Sequence, residues 1–181
     1  MSKEILRKKL INLRKVKYTK NSINFIKFKK ILHTMKPEYI KNIGGYYPIN
    51  SEIDCLDILK KLQKRNFEIS LPVIKKNNNI EFYEWSLKEP LEISNFGIPE
   101  PSKKKKVYPD ILIVPLVGFD KNNFRLGYGG GYYDRYIEKV NNLKKIFTIG
   151  FGFSFQEIKK IPINKFDQKL DLILTDKGVK I

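Results

Sequence analysis

Residues 110–135 hold the strongest constraint on the fold. Ile111-Leu-Ile-Val-Pro-Leu-Val117 is an almost unbroken apolar run, and after a short polar insert comes Arg125-Leu-Gly-Tyr-Gly-Gly-Gly-Tyr-Tyr-Asp134. A short apolar run without alternation fits a strand covered on both faces, the usual state in a parallel sheet. The segment from Tyr133 to Val140 reads as the start of a helix. Strand, glycine loop and helix in that order put backbone N–H groups at the carboxyl end of a sheet, where open α/β folds bind ligands.

The loop has a defined chemistry. Gly127, Gly129, Gly130 and Gly131 carry no Cβ, so the chain can turn left-handed and approach a ligand closely. Successive N–H groups form an anion nest, and the helix N-terminus adds positive potential. Arg125 and Arg135 bring fixed positive charge, and Tyr128, Tyr132 and Tyr133 bring flat walls with hydroxyl ends. Asp134 has the wrong sign for a phosphate, which makes sense with Mg²⁺ between them. No Gly-Lys-Ser/Thr follows the glycines, and Tyr132 stands where the dinucleotide fingerprint needs a third small residue. The loop alone leaves a second reading open, a glycine-rich hairpin turn with aromatic edges.

The longer pattern, Phe119-Asp120 and then Arg125 through Asp134, resembles the 5-formyltetrahydrofolate cyclo-ligase (methenyltetrahydrofolate synthetase) family. Further segments carry the same resemblance: Tyr47 with Glu52, Phe96-Gly-Ile-Pro-Glu-Pro101, Gln156, and Pro162 to Asp167. It implies an ATP-dependent cyclisation of 5-formyltetrahydrofolate to 5,10-methenyltetrahydrofolate. It also assigns residues: Lys3, Arg7, Arg125, Gly127, Tyr128, Gly129, Gly130, Gly131, Tyr132 and Tyr133 to ATP; Tyr47, Glu52 and Tyr133 to the folate; Asp134 and Asp167 to Mg²⁺. Arg125 and Tyr133 are the expected catalytic groups. Cys55 stands where the family commonly has Thr, which puts a hydroxyl contact there in doubt.

Elsewhere the chain fills in an α/β domain. Ser2 caps a helix to about Lys15, with Leu6, Leu10 and Leu13 on one stripe and Lys3 and Arg7 beside it. A second helix is expected from Asn21 to Met35, with Ser22 as cap and Ile23, Ile26, Ile31 and Leu32 inward. Ser51-Glu-Ile-Asp54 reads as a capping box before a helix reaching Arg65, which puts Glu52 in its first turn. Strands are expected at Ile43 to Pro48, Glu68 to Ile74, Ile80 to Trp85, Asp110 to Val117, Phe147 to Phe151 and, last, Leu170 to Thr175. The sum is a single-domain, three-layer α/β fold over residues 1–181, a mostly parallel sheet with helices on both faces and the helices of residues 1–36 packed on it.

Composition narrows the class. One cysteine, Cys55, rules out an internal disulfide and points to a reducing compartment. No apolar run is long enough to cross a membrane, and the opening Met-Ser-Lys-Glu-Ile lacks the apolar core of a secretory signal, so a cytoplasmic protein without membrane partners is expected. The lone His33 has no triad partners nearby, and no His/Cys cluster could hold zinc. The net charge of +17 is spread along the chain, including the run Lys103 to Lys106, which reads as a solvated loop able to attract a polyglutamate tail. The expected partners are therefore ATP and 5-formyltetrahydrofolate, polyglutamylated or not, taken by a monomer with no nucleic acid. The rival readings are a basic nucleic-acid-binding module and a nucleotide-binding protein without turnover.

Overall fold

The computed structural model describes residues 2–20, 22–35 and 39–180. An eight-stranded sheet forms its centre. In chain order its strands are β1 (Asn42–Gly44), β2 (Glu68–Lys75), β3 (Asn79–Glu84), β6 (Lys106–Val107), β7 (Ile111–Pro115), β10 (Phe147–Gly152), β12 (Leu172–Thr175) and β13 (Gly178–Lys180). Their spatial order is β13-β12-β10-β7-β1-β2-β3-β6. The run β12-β10-β7-β1-β2 is parallel, and antiparallel strands close both edges. The mostly parallel sheet is thus as expected, but β12 is not the last strand. After Thr175 the chain turns at Asp176–Lys177 and returns as β13.

The apolar run from Ile111 works as a doubly covered strand should. Ile111 and Ile113 point to one core, Leu112 and Val114 to the other, and all four are fully buried. The first core is covered by α2 (Phe25–Thr34) and α3 (Leu56–Gln63), through Phe28, Leu32, Ile58, Leu59 and Leu62. The second is covered by α4 (Tyr132–Asn141), through Tyr136, Ile137 and Val140. From β1 the chain crosses by α3 to β2 on one side; from β7 it crosses by α4 to β10 on the other. Right-handed crossovers that depart in opposite directions place their helices on opposite faces and open a crevice between β1 and β7.

Helix α1 (Lys3–Lys17) lies off the main sheet. Its Leu6 and Leu10 pack with Val117, Leu126 and Ile161 on a small sheet of β8 (Gly118–Asp120), β9 (Arg125–Leu126) and β11 (Glu157–Ile158), ordered β11-β8-β9. The hairpin β8–β9 was not expected between the apolar run and the glycine loop. It carries the chain out from β7 and delivers the loop back over the crevice. A third pair, β4 (Glu92–Ile93) and β5 (Pro99–Glu100), holds the Phe96 loop at the cleft edge.

Two helix starts differ from expectation. Helix α2 begins at Phe25, capped by Asn24, whose Oδ1 accepts from the N–H groups of Ile26 and Lys27 at 2.9 and 3.1 Å. Asn21, the expected start, lies outside the described residues, and Ile26 is 67% exposed rather than inward. The Ser51–Asp54 capping box does not form. Asn50 and Ser51 are left-handed (φ 48° and 60°), which folds the chain back so that Glu52 Oε2 accepts from Ile49 N–H at 2.9 Å. The helix starts after Cys55 with no side-chain cap, Asp54 accepts from Leu56 N–H at 2.7 Å in the turn before it, and Glu52 precedes the helix.

Candidate active site

A cleft of about 900 Å³ opens at the carboxyl ends of β1, β2 and β7. Every sequence-designated site residue lines it: Lys3, Arg7, Tyr47, Glu52, Arg125, the loop from Gly127 to Tyr133, Asp134 and Asp167. These positions span most of the chain, so the fold gathers them and local sequence does not.

The glycine loop forms the floor on one side. Gly129 and Gly131 have φ of 109° and 66°, the left-handed region that a side chain opposes. Among the described residues, the N–H groups from Gly127 to Gly131 donate to no protein acceptor. Gly131 also begins α4 with no side-chain cap, so the helix N-terminus faces the cleft with its first N–H groups free. Arg7 Nε donates to the Gly127 carbonyl at 2.9 Å, and its guanidinium lies over Gly129. Arg135, also at the cleft, braces the loop by donating to the carbonyls of Gly130, at 2.6 Å, and Asn78. It is spent on loop carbonyls.

Two ion pairs sit beside the loop. Arg125 is buried and its Nη2 lies 2.9 Å from Asp134 Oδ1, while Nη1 donates to the Gln168 carbonyl at 3.1 Å. Burial pushes the Arg125 pKa down and Asp134 pushes it back up. Lys3 Nζ contacts Asp167 Oδ1 at 2.7 Å and Oδ2 at 2.5 Å. Asp134 Oδ1 and Asp167 Oδ2 also accept from backbone N–H groups, of Gln168 at 2.9 Å and Asn164 at 2.6 Å. Both carboxylates bear on Arg125, one by contact and Asp167 at longer range. Among the described residues no group of three His, Cys, Asp or Glu side chains could cage a metal. Two carboxylates next to a phosphate nest nevertheless match how Mg²⁺ is held, by one or two carboxylates plus the oxygens of the phosphates it accompanies.

The rest of the lining is largely apolar, with two buried acids, Glu52 and Glu100. Tyr47, Ile49, Pro72, Ile74, Ile98 and Pro99 belong to it, and Phe96 stands 64% exposed at the rim. Glu52 is 5% exposed, and burial raises its pKa from 4.5 to about 7 against the pull of Ile49 N–H, Arg14 and the Tyr128 hydroxyl. Tyr133 lines the cleft within electrostatic reach of both Glu52 and Arg125. Burial raises its pKa well above 10, Glu52 adds to that, and Arg125 opposes it.

Sequence reading missed Arg14 and undervalued Glu100. Arg14 is 1% exposed, bonds the Tyr128 hydroxyl and donates to the Leu116 carbonyl at 3.2 Å. The signal was present: Arg14 continues the stripe of Leu6 and Leu10, where a charge has no solvent to face. Glu100 is buried against the cleft and accepts from Ile74 N–H at 2.8 Å. The run Lys103–Lys106 is spent elsewhere, with Lys104, Lys105 and Lys106 paired to Glu89, Glu84 and Glu81.

A cleft at the carboxyl ends of parallel strands, with free N–H groups in a glycine loop and buried carboxylates among apolar side chains, is the plan of an α/β enzyme. The chain belongs to the 5-formyltetrahydrofolate cyclo-ligase family, whose model matches residues 1–176. A 5-formyltetrahydrofolate cyclo-ligase of Mycoplasma pneumoniae is 31% identical over 180 residues, 97% of this chain and 99% of that one. Another, from Haemophilus influenzae, is 32% identical over 150 residues, 79% of this chain and 80% of its own length. Among solved structures, a 5,10-methenyltetrahydrofolate synthetase from Aquifex aeolicus superposes with a TM-score of 0.76 at 30% identity, covering 99% of this chain and 92% of that one. The fold and the ligase class follow from these likenesses together.

Proposed function

We propose that the cleft carries out the reaction for which the family is named, the ATP-dependent cyclisation of 5-formyltetrahydrofolate to 5,10-methenyltetrahydrofolate, with release of ADP and phosphate. What supports the reading most is that the glycine nest, Tyr133 and buried Glu52 line one cleft.

A formamide oxygen is a poor leaving group, so the oxygen must first be activated. The γ-phosphoryl group passes from ATP to the formyl oxygen, the bond to the β-phosphate oxygen breaks, and ADP leaves. N10 of the folate then attacks the formyl carbon, the carbon–oxygen bond breaks, and N10 gives up its proton. The former formyl oxygen departs within the phosphate. Such a sequence needs alignment and charge neutralisation more than a protein nucleophile.

The residues divide accordingly. The N–H groups from Gly127 to Gly131, with the start of α4, hold the triphosphate, and Tyr128 and Tyr132 wall it. Arg125 stabilises charge on the transferring group, and Lys3 and Arg7 reach the phosphates from α1. Glu52 accepts hydrogen bonds from the aminopyrimidinone edge of the pterin, with Tyr47 and Tyr133 packing beside it. Asp134 and Asp167 would hold Mg²⁺, which when bound supplies charge neutralisation on the phosphates. On this reading the protein acts as a monomer in the cytoplasm.

The test mixes the protein with Mg-ATP and 5-formyltetrahydrofolate and follows the near-ultraviolet absorbance of the methenyl product. Product should accumulate, and Glu52→Gln should abolish it while ATP still binds. Folded protein that gives no product overturns the proposal. ATP binding with no folate-dependent turnover would favour the non-catalytic rival.

A further inference from the structure

Arg14 is a cation with almost no solvent, on the last turn of the helix that supplies Lys3 and Arg7. A buried guanidinium carries a large desolvation cost unless its partners are well placed. Its partners here are specific. Nη1 donates to the Leu116 carbonyl at 3.2 Å, just past the end of β7. Nη2 bonds the Tyr128 hydroxyl, and the guanidinium carbon lies 5.6 Å from the Tyr128 ring centre. Among the described residues, Nε has no partner. Tyr128 is the one aromatic residue inside the glycine run, and its hydroxyl also bears on Glu52.

We propose that Arg14 is a positioning residue that couples the two walls of the cleft, fixing Tyr128 of the phosphate loop beside Glu52 and registering α1 so that Lys3 and Arg7 meet the loop. The geometry gives it both tasks. Lys3, Arg7 and Arg14 share one face of α1, so anchoring Arg14 to β7 sets how far that face reaches over Gly127 and Gly129. A second buried side chain holds the same strand end: Gln156 Nε2 donates to the carbonyls of Leu116 and Val117 at 3.2 and 2.8 Å. Removing Arg14 therefore leaves the Leu116 carbonyl partnered but frees Tyr128.

Arg14 also sets the charge that Glu52 presents. The groups facing Glu52 are Arg14 from α1, Tyr128 from the glycine loop, Tyr133 from α4, and Tyr46 and Cys55 from the segment between β1 and α3. Of these, Arg14 is the cation. Without it the carboxylate is harder to form, and the pH below which Glu52 is protonated rises.

The kinetic arm of the test rests on the reaction proposed above; the titration arm does not. In ligand-free protein carrying ¹³C-labelled glutamate, the Glu52 carboxyl midpoint should move up by about one pH unit in Arg14→Met. It should stay near the wild-type value in Arg14→Lys, which keeps the charge. In turnover, the acid limb of kcat/KM for the folate should move up in Arg14→Met by the same amount. Tyr128→Phe should raise KM for ATP, and adding it to Arg14→Met or Arg14→Lys should change KM less than twofold further, because Arg14 acts through that hydroxyl. An unmoved Glu52 midpoint and limb in Arg14→Met overturns the electrostatic part. Effects of Arg14→Lys and Tyr128→Phe that multiply overturn the coupling, and this arm decides even if Arg14→Met does not fold. Wild-type protein with no turnover would sink the assigned reaction while the titration still reports on Arg14.

Discussion

Glu52 should make the protein less stable as pH rises through neutrality, and Glu52→Gln should remove that loss. The carboxyl is 5% exposed and its pKa rises from 4.5 to about 7 on folding. Between those values the folded state holds a proton that the unfolded state has released, so the folded state binds more protons and stability falls as pH increases. Below 4.5 both states are protonated and there is no penalty; above about 7 the full penalty applies. The pKa difference converts to roughly 3 kcal/mol. Glutamine keeps the shape and can still accept from Ile49 N–H, but it never ionises. Urea unfolding at pH 5 and pH 8 reads the effect. The stability of Glu52→Gln relative to wild type should grow by roughly 2 to 3 kcal/mol between the two. A gap that does not change with pH, or one that grows toward acid, would refute the reasoning. The same substitution should cost folate turnover, a trade of stability for function that marks a site residue.

Other perturbations separate the walls of the cleft. Gly131→Ala places a Cβ on a residue at φ 66°, 2.7 Å from Arg135 Nη1, and should cost about 1 kcal/mol and raise KM for ATP, checked by urea unfolding and steady-state kinetics. Lys3→Met removes one partner of Asp167 and, on the proposed reading, a phosphate contact, so KM for ATP should rise by roughly tenfold while KM for the folate changes little, checked by steady-state kinetics. Stripping divalent cations with a chelator should stop turnover, and Mg²⁺ should restore it; full activity without any divalent ion would remove Asp134 and Asp167 from the metal role. Titration with duplex DNA across salt should show weak binding without sequence preference; tight binding with a steep salt slope would favour the nucleic-acid reading.

What could be read from the sequence was what chemistry packs into short stretches. The glycine loop, its flanking Arg125 and Asp134, and the strand from Ile111 each declare themselves within a few residues, since local backbone freedom and burial on both faces write directly into composition. Glu52 came from resemblance alone: its local setting reads as a helix cap, and only the left-handed Asn50 and Ser51 turn it into the cleft. Arg14 shows in the sequence only as a charge on the stripe of Leu6 and Leu10; its role was not legible because its partners, Leu116 and Tyr128, lie 102 and 114 residues away. The hairpin of β8 and β9 was missed because strands of two or three residues carry too little periodicity to detect. The Asp176-Lys-Gly178 turn did hold a signal for the final hairpin, a glycine at φ 133° just past a buried strand.

The most direct measurement follows one atom. 5-Formyltetrahydrofolate carrying ¹⁸O in its formyl group is turned over with Mg-ATP, and the released phosphate is examined by mass spectrometry. If the glycine loop aims the γ-phosphoryl group at the formyl oxygen beside Glu52, each phosphate formed carries one ¹⁸O. Methenyl product accompanied by unlabelled phosphate would contradict that geometry, because the oxygen would then have left by another route.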